Sequence, residues 1–451
     1  MLEKFFKLKE NGTTVKTEII AGITSFMTMA YILAVNPSIM SAAGMDHGAV
    51  FTATALAAFI GTLAMALFAN YPFALAPGMG LNAYMAFTVC GNMGYSWQIA
   101  LLAVFVEGLI FIVLSLTNVR EAIFNAIPMA LKKGVSAGIG LFIAFIGLQG
   151  ANLVVNDDST LLTYVKFVGD FHTIGIGALL ALIGLFIIVV LHHKKNKGSI
   201  LIGILATWIL GMICEAIGLY VPDGKEFYSL YPTFRMIDFG AFGTTFGQCF
   251  NVDFSGVDIL NFIAVLFAFL FVDIFDTLGT LIGVSTKANM LDEEGKLPRI
   301  RPALLADAIA TSVGSIFGTS TTTTYVESSA GVAAGGRTGL SAMVTGLLFL
   351  LAIVFAPIFT AIPSFATAPA LIFVGFLMIS SIISIDFEDI TEAVPAYLAM
   401  LAMPLMYSIS EGIALGVISY VVINLCCGKA KKIKPLMYIL AVLFVLKYIF
   451  L

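Results

Sequence analysis

The sequence predicts an all-α polytopic membrane protein, and three observations carry that prediction. Of 451 residues, 60% are hydrophobic and only 11% are charged. Soluble domains are about 45–50% apolar, so this composition excludes a soluble globular fold. The apolar residues form runs long enough to cross about 30 Å of hydrocarbon. Two further runs are interrupted by glycine and polar residues, which is typical of transporters.

Fourteen spans are predicted. Two are Gly-rich half-spans near 73–91 and 320–338, and the other twelve are continuous apolar runs. These runs lie at about 19–39, 48–70, 97–117, 129–150, 171–192, 198–220, 258–285, 302–317, 340–362, 367–385, 392–408 and 410–427. The apolar tail 435–451 is at the short limit for crossing, and it either spans, lies in the interface or packs against the bundle.

The positive charges agree with this count if the N-terminus is cytoplasmic. The loops and span ends predicted inside are basic: Arg120, Lys132, Lys133, 192–197, 287–301, Arg337 and 429–434. The predicted outer loops 40–47, 91–96 and 363–366 contain no Lys or Arg, as the positive-inside rule expects. The outer loops 151–170 and 221–257 do carry Lys or Arg, but acids outnumber or offset them there. The first 18 residues carry four Lys and are predicted to form a short cytoplasmic amphipathic lead-in without a signal-peptide cleavage site.

The span count also predicts an inverted repeat. Seven spans in each half give the halves opposite orientations. The repeats are residues 1–220 and 258–428, joined by an extracellular segment 221–257 and followed by a basic linker and apolar helix at 429–451. The third span of each half, spans 3 and 10, is broken into a short strand and a half-helix. Such segments at corresponding positions point to a substrate site at their crossing.

The second broken span is the polar centre of the sequence. Thr321 to Val326 is a β-branched and aromatic run that favours a strand, and Ser328 to Gly336 is a small-residue helix former. Inside a bilayer, such backbone survives only where it lines a cavity buried in protein. The sequence therefore predicts a binding site at the membrane midplane, with Glu327 at the junction.

Three more polar residues are expected at this site: Asn82 in the first broken span, and Asp273 and Asp276 in the eighth span. A charge at the bilayer centre costs at least ~2.5–3.5 kcal/mol, so two acids three residues apart indicate function. For Asp273, pairing with Arg or capping of a broken helix remains equally open. The remaining intramembrane acids are expected to be structural hydrogen-bonding groups: Glu107, Glu215, Asp307 and Glu411.

The predicted ligand is a flat, neutral solute rich in N–H groups. Carboxylates repel an anion, whereas they accept N–H protons, and Asn82 and backbone N–H groups can face the acceptors of a heterocycle. Aromatic rings could stack on its face: Phe73, Tyr84, Phe271 and Phe275. Two acids close together at the midplane should not both be ionised, so they should share a proton. The proton is therefore the expected coupling ion, with Na⁺ as the alternative.

The sequence contains no motif for binding a metal, a cofactor or nucleic acid. The five cysteines form no C-x-x-C pair and no His stands at metal spacing, so neither a metal site nor a cofactor is predicted. There is no basic stripe or reader motif, which excludes nucleic acid.

Three motifs carry a family resemblance: A-P-G-M-G-L-N-A-Y (76–84), F-V-D-I-F-D-T-L-G-T-L (271–281) and G-T-S-T-T-T-T-Y-V-E-S-S-A-G-V-A-A-G-G-R-T-G (318–339). They resemble the AzgA-like purine branch of the nucleobase:cation symporter-2 family, the xanthine/uracil permeases. The resemblance implies a core domain (spans 1–4 and 8–11) that moves against a gate domain (spans 5–7 and 12–14). It also implies proton-coupled uptake of hypoxanthine, guanine or adenine through the plasma (inner) membrane.

Residue by residue, the resemblance places the family's site acids on Asp276 and Glu327 and its asparagine on Asn82. The full expected binding set is Asn82, Asp276, Glu327, Gly80, Tyr84, Phe73, Thr324 and Ser328, with Asp276, Glu327 and Asp273 in proton coupling. Uracil-type relatives have His where this chain has Thr280, and Gln-Asn where it has Ser328 and Ser329. That departure argues against uracil or xanthine.

Two other functions were weighed. Anion carriers of the related sulfate-transporter-like fold share the architecture, but their site should lack acids. An intramembrane aspartyl protease is suggested weakly by D-T-L-G (276–279) and P-A-L (369–371), but its G-x-G-D and Y-D contexts do not occur, so no enzyme is predicted. The preferred purine, the choice between H⁺ and Na⁺, and homodimer formation stay open.

Overall fold

The computed structural model describes residues 2–117, 127–157, 159–167, 170–196, 198–222, 228–232, 242–253, 257–287, 290 and 297–450. Arg120, Lys197 and much of the predicted connecting segment 221–257 therefore lie outside the described residues, as does part of the basic stretch 287–301.

The described chain is mainly helical. Its helices are α1 (Leu2–Phe6), α2 (Val15–Met29), α3 (Ile32–Ser41), α4 (His47–Ala64), α5 (Met79–Ala83), α6 (Trp97–Ser115), α7 (Met129–Gly150), α8 (Ile176–His193), α9 (Ser199–Ala216), α10 (Ile259–Lys287), α11 (Ile300–Phe317), α12 (Ser328–Ala333), α13 (Gly339–Ala352), α14 (Ala356–Phe359), α15 (Ser364–Ile379), α16 (Ile390–Leu405), α17 (Ile409–Cys426) and α18 (Pro435–Phe450). The strands are β1 (Leu75–Pro77), β2 (Val154–Asp157), β3 (Leu161–Tyr164) and β4 (Thr322–Thr324). π-helical turns follow α4 and α5 and precede α8, at Met65–Ala69, Tyr84–Asn92 and Phe171–Gly175.

Eleven helical segments of the described chain are long and apolar enough to cross a membrane. The prediction of a mainly helical polytopic membrane protein is therefore confirmed. Helix α16 is apolar but shorter, as is the tail segment Pro435–Leu446. The count of fourteen spans stays a prediction.

The segments around residues 75 and 322 are extended first and helical afterwards. Strand β1 pairs antiparallel with β4, with Leu75 opposite Thr324 and Pro77 opposite Thr322. Two backbone bonds lengthen this ladder, from Gly78 N–H to the Thr321 carbonyl (2.9 Å) and from Tyr325 N–H to the Ala74 carbonyl (3.0 Å). Helix α5 begins two residues after β1, and α12 four residues after β4. The chain thus joins its two interrupted segments backbone to backbone.

The outer edges of this two-stranded sheet are closed by threonines. The Thr62 hydroxyl on α4 accepts from Leu75 N–H (2.9 Å) and donates to the Leu75 carbonyl (3.1 Å). On β4, the Thr311 hydroxyl of α11 makes the same pair of bonds with Thr322, at 3.3 and 3.1 Å. Without water, open strand edges would leave backbone groups unsatisfied, so each strand depends on the helix that precedes it.

The N-terminal segment differs from the predicted lead-in. Thr14 caps α2 through Thr17 N–H (3.2 Å), so the helix of the first span begins at Val15. Glu18 is fully buried and accepts from the backbone N–H groups of Arg337 (2.8 Å) and Ser341 (3.1 Å) at the start of α13. A carboxylate at a helix N-terminus is favourable. The end of the predicted cytoplasmic lead-in is therefore part of the bundle.

The C-terminal helix α18 packs against the bundle, one of the three arrangements left open for the tail. It buries residues at helical spacing: Met437, Leu440, Ala441 and Phe444. The linker before it is held at Asp389, whose carboxylate contacts Lys429 (3.2 Å) and Lys432 (3.3 Å). Hydrogen bonds from Thr391 and Lys429 hold the pKa of Asp389 well below its usual range.

Candidate functional site

Asp276 and Glu327 are the partly exposed acids at the crossing of the broken spans. Asp276, on α10, accepts from the Thr323 hydroxyl of β4 at 3.2 Å. Glu327 precedes α12, and its Oε1 accepts from the Tyr31 hydroxyl at 2.6 Å. Each carboxylate is thus held by one hydroxyl while remaining accessible. Such a carboxylate can accept N–H groups from a ligand.

Gly78 allows α10 to approach this crossing. A Cβ at this position would lie 3.0 Å from Thr323 Oγ1 and 3.3 Å from Asp276 Oδ2, closer than ordinary side-chain contacts. Glycine is therefore needed for the close approach of β1 to the acid and its hydroxyl partner.

Asn82 is fully buried on α5, and its side-chain N–H₂ group is available to donate a hydrogen bond. Its Oδ1 accepts a hydrogen bond from the Ser320 hydroxyl. In the part of the chain that the structure describes, its Nδ2 has no hydrogen-bond partner. A buried amide N–H₂ without a partner is costly, and a ligand acceptor would remove that cost.

The structure brings Thr324 and Ser328 to the same crossing. Thr324 lies opposite Leu75 in the ladder, and its hydroxyl oxygen has no hydrogen-bond partner among the described residues. The Ser328 hydroxyl accepts from Ala74 N–H at 2.9 Å and so ties α12 to the segment before β1.

The predicted stacking rings lie in packing contacts. Phe73 is fully buried and stacked on Tyr71, with ring centroids 5.1 Å apart, and Tyr84 makes an edge contact with Phe269 at 4.9 Å. Phe271 stacks on Phe267, at 5.7 Å. Gly80 gives α5 room beside α7, because a Cβ there would lie 2.8 Å from Ile139 Cγ2. The side chain of Phe275 lies outside the described residues.

Asp273 on α10 and Asp307 on α11 form a second pair of acids. Asp273 and Asp307 are fully buried, and their Oδ1 atoms lie 2.7 and 2.9 Å from one hydroxyl, that of Thr277. A hydroxyl has a single proton, and an ionised carboxylate can only accept. If both carboxyl groups were ionised, the Thr277 hydroxyl could therefore donate to only one of them at a time. The Thr277 hydroxyl thus lies between an acid of α10 and an acid of α11.

The other intramembrane acids make hydrogen bonds, as predicted. Glu107 accepts from the Thr321 hydroxyl at 2.7 Å, Glu215 from Ser229 at 2.7 Å, and Glu411 from Tyr448, while Asp307 contacts the Thr277 hydroxyl.

Four residues of the crossing were missed by sequence reasoning. Tyr31 and Tyr325 supply hydroxyl groups, the latter to the Pro77 carbonyl at 2.5 Å, and Thr62 and Thr311 close the strand edges. A signal for the threonines exists, since each lies in the small-residue span before a broken span. Tyr31 lies in an apolar run, and one sequence gives no indication that it faces Glu327.

A cavity of about 400 Å³ borders the half-helix after Glu327. It is lined by Ser329, Ala330, Val332, Ala333 and Arg337. The Arg337 guanidinium donates to the Val332 (2.8 Å) and Gly336 (2.7 Å) carbonyls, so it caps the C-terminal end of α12. Small side chains keep this side of α12 open.

Residues 16–415 match the model of the Permease family (Xan_ur_permease). The chain belongs to this family. It is 47% identical to the guanine/hypoxanthine permease PbuG of Bacillus subtilis, covering 100% of both chains. It is 43% identical to the adenine permease AdeP of Escherichia coli, over 100% of this chain and 96% of that one. These relatives are permeases, so the protease reading is excluded, and the predicted family is confirmed.

Solved structures show the same fold at low identity. The transmembrane domain of the cyanobacterium bicarbonate transporter BicA matches with a TM-score of 0.63 at 18% identity, over 89% of this chain and 97% of that one. SLC26A9 matches with a TM-score of 0.57 at 12% identity, over 92% of this chain and 66% of that one. At these identities the likeness shows the fold alone.

Proposed function

We propose that this permease imports purine nucleobases, namely hypoxanthine, guanine or adenine, by proton symport. The proposal rests on two partly exposed acids, Asp276 and Glu327, and on the amide N–H₂ of Asn82, which has no hydrogen-bond partner among the described residues. Relatives named guanine/hypoxanthine and adenine permeases support the same substrates.

The donor and acceptor pattern suits a purine. Purines present N–H groups on the same rings as nitrogen or carbonyl acceptors, so carboxylates can accept from one edge while Asn82 donates to another. Each group left unpaired in a buried site costs about 1–3 kcal/mol, which gives selectivity against solutes without the matching groups.

The proposed architecture is a 7+7 inverted repeat. Eleven long spans, helix α16 and the two broken segments make fourteen. The matching bonds of Thr62 to β1 and Thr311 to β4 support the repeat, because each half closes its strand with the span before it. The N-terminus is cytoplasmic, the membrane is the plasma (inner) membrane, and the core (spans 1–4 and 8–11) moves against the gate (spans 5–7 and 12–14).

Coupling to protons follows from the acids. In this proposal the pair Asp276 and Glu327 faces the ligand, and the pair Asp273 and Asp307 shares the Thr277 hydroxyl. Purine binding that favours one protonation state of the exposed pair would couple the two fluxes.

An anion carrier is the alternative that the fold neighbours suggest, since one of them is a bicarbonate transporter. Two accessible carboxylates repel an anion, so the chemistry of the site opposes this alternative.

The test is uptake of radiolabelled hypoxanthine into proteoliposomes, with an inside-alkaline pH step and, separately, a Na⁺ gradient. We expect accumulation with the pH step, competition by guanine or adenine, and no competition by bicarbonate or sulfate. Uptake of labelled bicarbonate without hypoxanthine uptake would refute the proposal.

A further inference from the structure

Tyr31 makes the side-chain hydrogen bond that fixes Glu327. Its hydroxyl donates to Glu327 Oε1 at 2.6 Å, the short distance expected for a charge-assisted bond. Among the described residues, no other side chain donates to this carboxylate. The orientation of Glu327 therefore depends on a residue 296 positions earlier in the chain.

Tyr31 itself is held firmly. It is fully buried at the junction between α2 and α3, where its ring packs in the main hydrophobic core. One turn earlier, the Thr28 hydroxyl lies 3.4 Å from the Glu327 carbonyl. The first span thus contacts the junction of β4 and α12 at both the backbone and the side chain of Glu327. A buried aromatic ring has few rotamers, so its hydroxyl is a well-defined reference point.

We propose that Tyr31 is a positioning residue that sets the orientation in which Glu327 accepts a purine N–H. The inference rests on the proposed function, because it gives Glu327 the role of ligand acceptor. A free glutamate side chain loses rotamer freedom when it binds a ligand. Tyr31 removes that loss in advance by holding one carboxylate oxygen, which leaves the other acceptor positions directed at the ligand. Tyr31 needs no contact with the purine for this effect.

A double-mutant cycle tests the inference with Tyr31→Phe and Glu327→Ala, read as the Kd of hypoxanthine for the purified protein by calorimetry. We expect Tyr31→Phe to raise Kd about tenfold, as expected when a hydrogen bond to a charged group is lost. In the Glu327→Ala background the same change should raise Kd by less than about twofold, because the residue it positions is gone.

The matched control is Tyr420→Phe. Tyr420 is a buried tyrosine on α17 whose hydroxyl lies near a different carboxylate, that of Glu392, and its replacement by Phe should leave the Kd of hypoxanthine unchanged. A conservative variant adds a rescue. Tyr31→4-aminophenylalanine keeps the ring and an N–H donor in the same place, and its Kd should stay within about threefold of the parent. If Tyr31→Phe fails to fold, the 4-aminophenylalanine variant still allows the Kd to be measured with an altered donor at this position.

The outcomes distinguish a failure of the proposed role of Glu327 from a failure of the positioning role of Tyr31. If Glu327→Ala leaves Kd unchanged, the proposed role of Glu327 fails. If Glu327→Ala weakens binding while Tyr31→Phe does not, the positioning role of Tyr31 fails alone. Equal loss from Tyr31→Phe in both backgrounds would show that Tyr31 acts independently of Glu327, and it would overturn the inference. The same holds if the 4-aminophenylalanine variant binds as weakly as Tyr31→Phe.

Discussion

Asp276 and Asp273 lie on the same helix, three residues apart, in different surroundings. Asp276 is partly exposed and takes a single hydroxyl, from Thr323 at 3.2 Å, whereas Asp273 is fully buried and shares Thr277 with Asp307. The first acid faces the glycine at position 78, and the second faces a neighbouring helix that carries its own acid. Sequence distance therefore does not decide which acid can serve a ligand.

Helix α10 therefore carries one acid that is accessible to a ligand, Asp276, and one that is enclosed, Asp273. A buried charge is costly, and a proton shared between Asp273 and Asp307 would remove that cost. Asp276 and Glu327 each have one hydroxyl partner and retain acceptor capacity. We expect the exposed pair to respond to substrate and to the pH gradient, and the enclosed pair to respond to neither. Mutations of Asp276 and Glu327 test the exposed pair, and a mutation of Asp307 tests the enclosed pair.

The largest expected effect is on coupling. Asp276→Asn fixes a neutral side chain of the same shape, so the variant should still bind hypoxanthine and exchange it. It should lose accumulation driven by an imposed inside-alkaline gradient, because Asp276 can no longer exchange a proton. The measurement is a pH jump in proteoliposomes with labelled hypoxanthine. Continued accumulation by the variant, or a parent that responds only to Na⁺, would show that Asp276 is not the coupling group.

Glu327→Gln should cause the next largest loss, in binding. The amide keeps the shape of the side chain but replaces half of its acceptor capacity with donors, which would face a purine N–H with the wrong sign. We expect binding to weaken by about 1–3 kcal/mol, the cost of an unpaired buried polar group. Calorimetry with hypoxanthine measures it. Unchanged affinity would remove Glu327 from the site.

Much of this site was predictable from sequence, because its chemistry is local. Glycines, a β-branched run and isolated acids in apolar surroundings indicated the broken spans, Asp276, Glu327 and Asn82. The pairing of Asp273 with Asp307, and of Tyr31 with Glu327, joins residues from different helices. A single sequence shows no side-chain partner across such distances, so Asp307 could be predicted only as a hydrogen-bonding group, and Phe73 and Tyr84 were placed by residue type alone.

Asn82→Ala should have a moderate effect that distinguishes recognition from fold. The strand ladder and the Thr62 bonds remain, so the fold should be kept. Loss of the unpartnered N–H₂ should weaken purine binding by about 1 kcal/mol, the net value of one hydrogen bond. Competition between labelled hypoxanthine and unlabelled guanine and adenine measures it. A profile identical to the parent would mean that Asn82 serves only to hold Ser320.

Asp307→Asn should have the smallest effect, and it tests the enclosed pair. In the parent, we expect one protonated carboxyl group between Asp273 and Asp307, because a single hydroxyl contacts both. Asparagine reproduces the neutral partner permanently: its N–H₂ can donate to Thr277, whose own proton then goes to Asp273. The hypoxanthine Kd should therefore stay within about threefold of the parent, a change below the value of one hydrogen bond. The apparent melting temperature in detergent should also be nearly unchanged, because the contact with Thr277 is kept. The control is Asp307→Ala, which leaves the Thr277 hydroxyl with one fewer partner and opens a cavity, so it should lower the melting temperature.

If Asp307→Asn instead abolishes hypoxanthine binding at an unchanged melting temperature, the enclosed acids also respond to substrate, and the division between the two pairs fails.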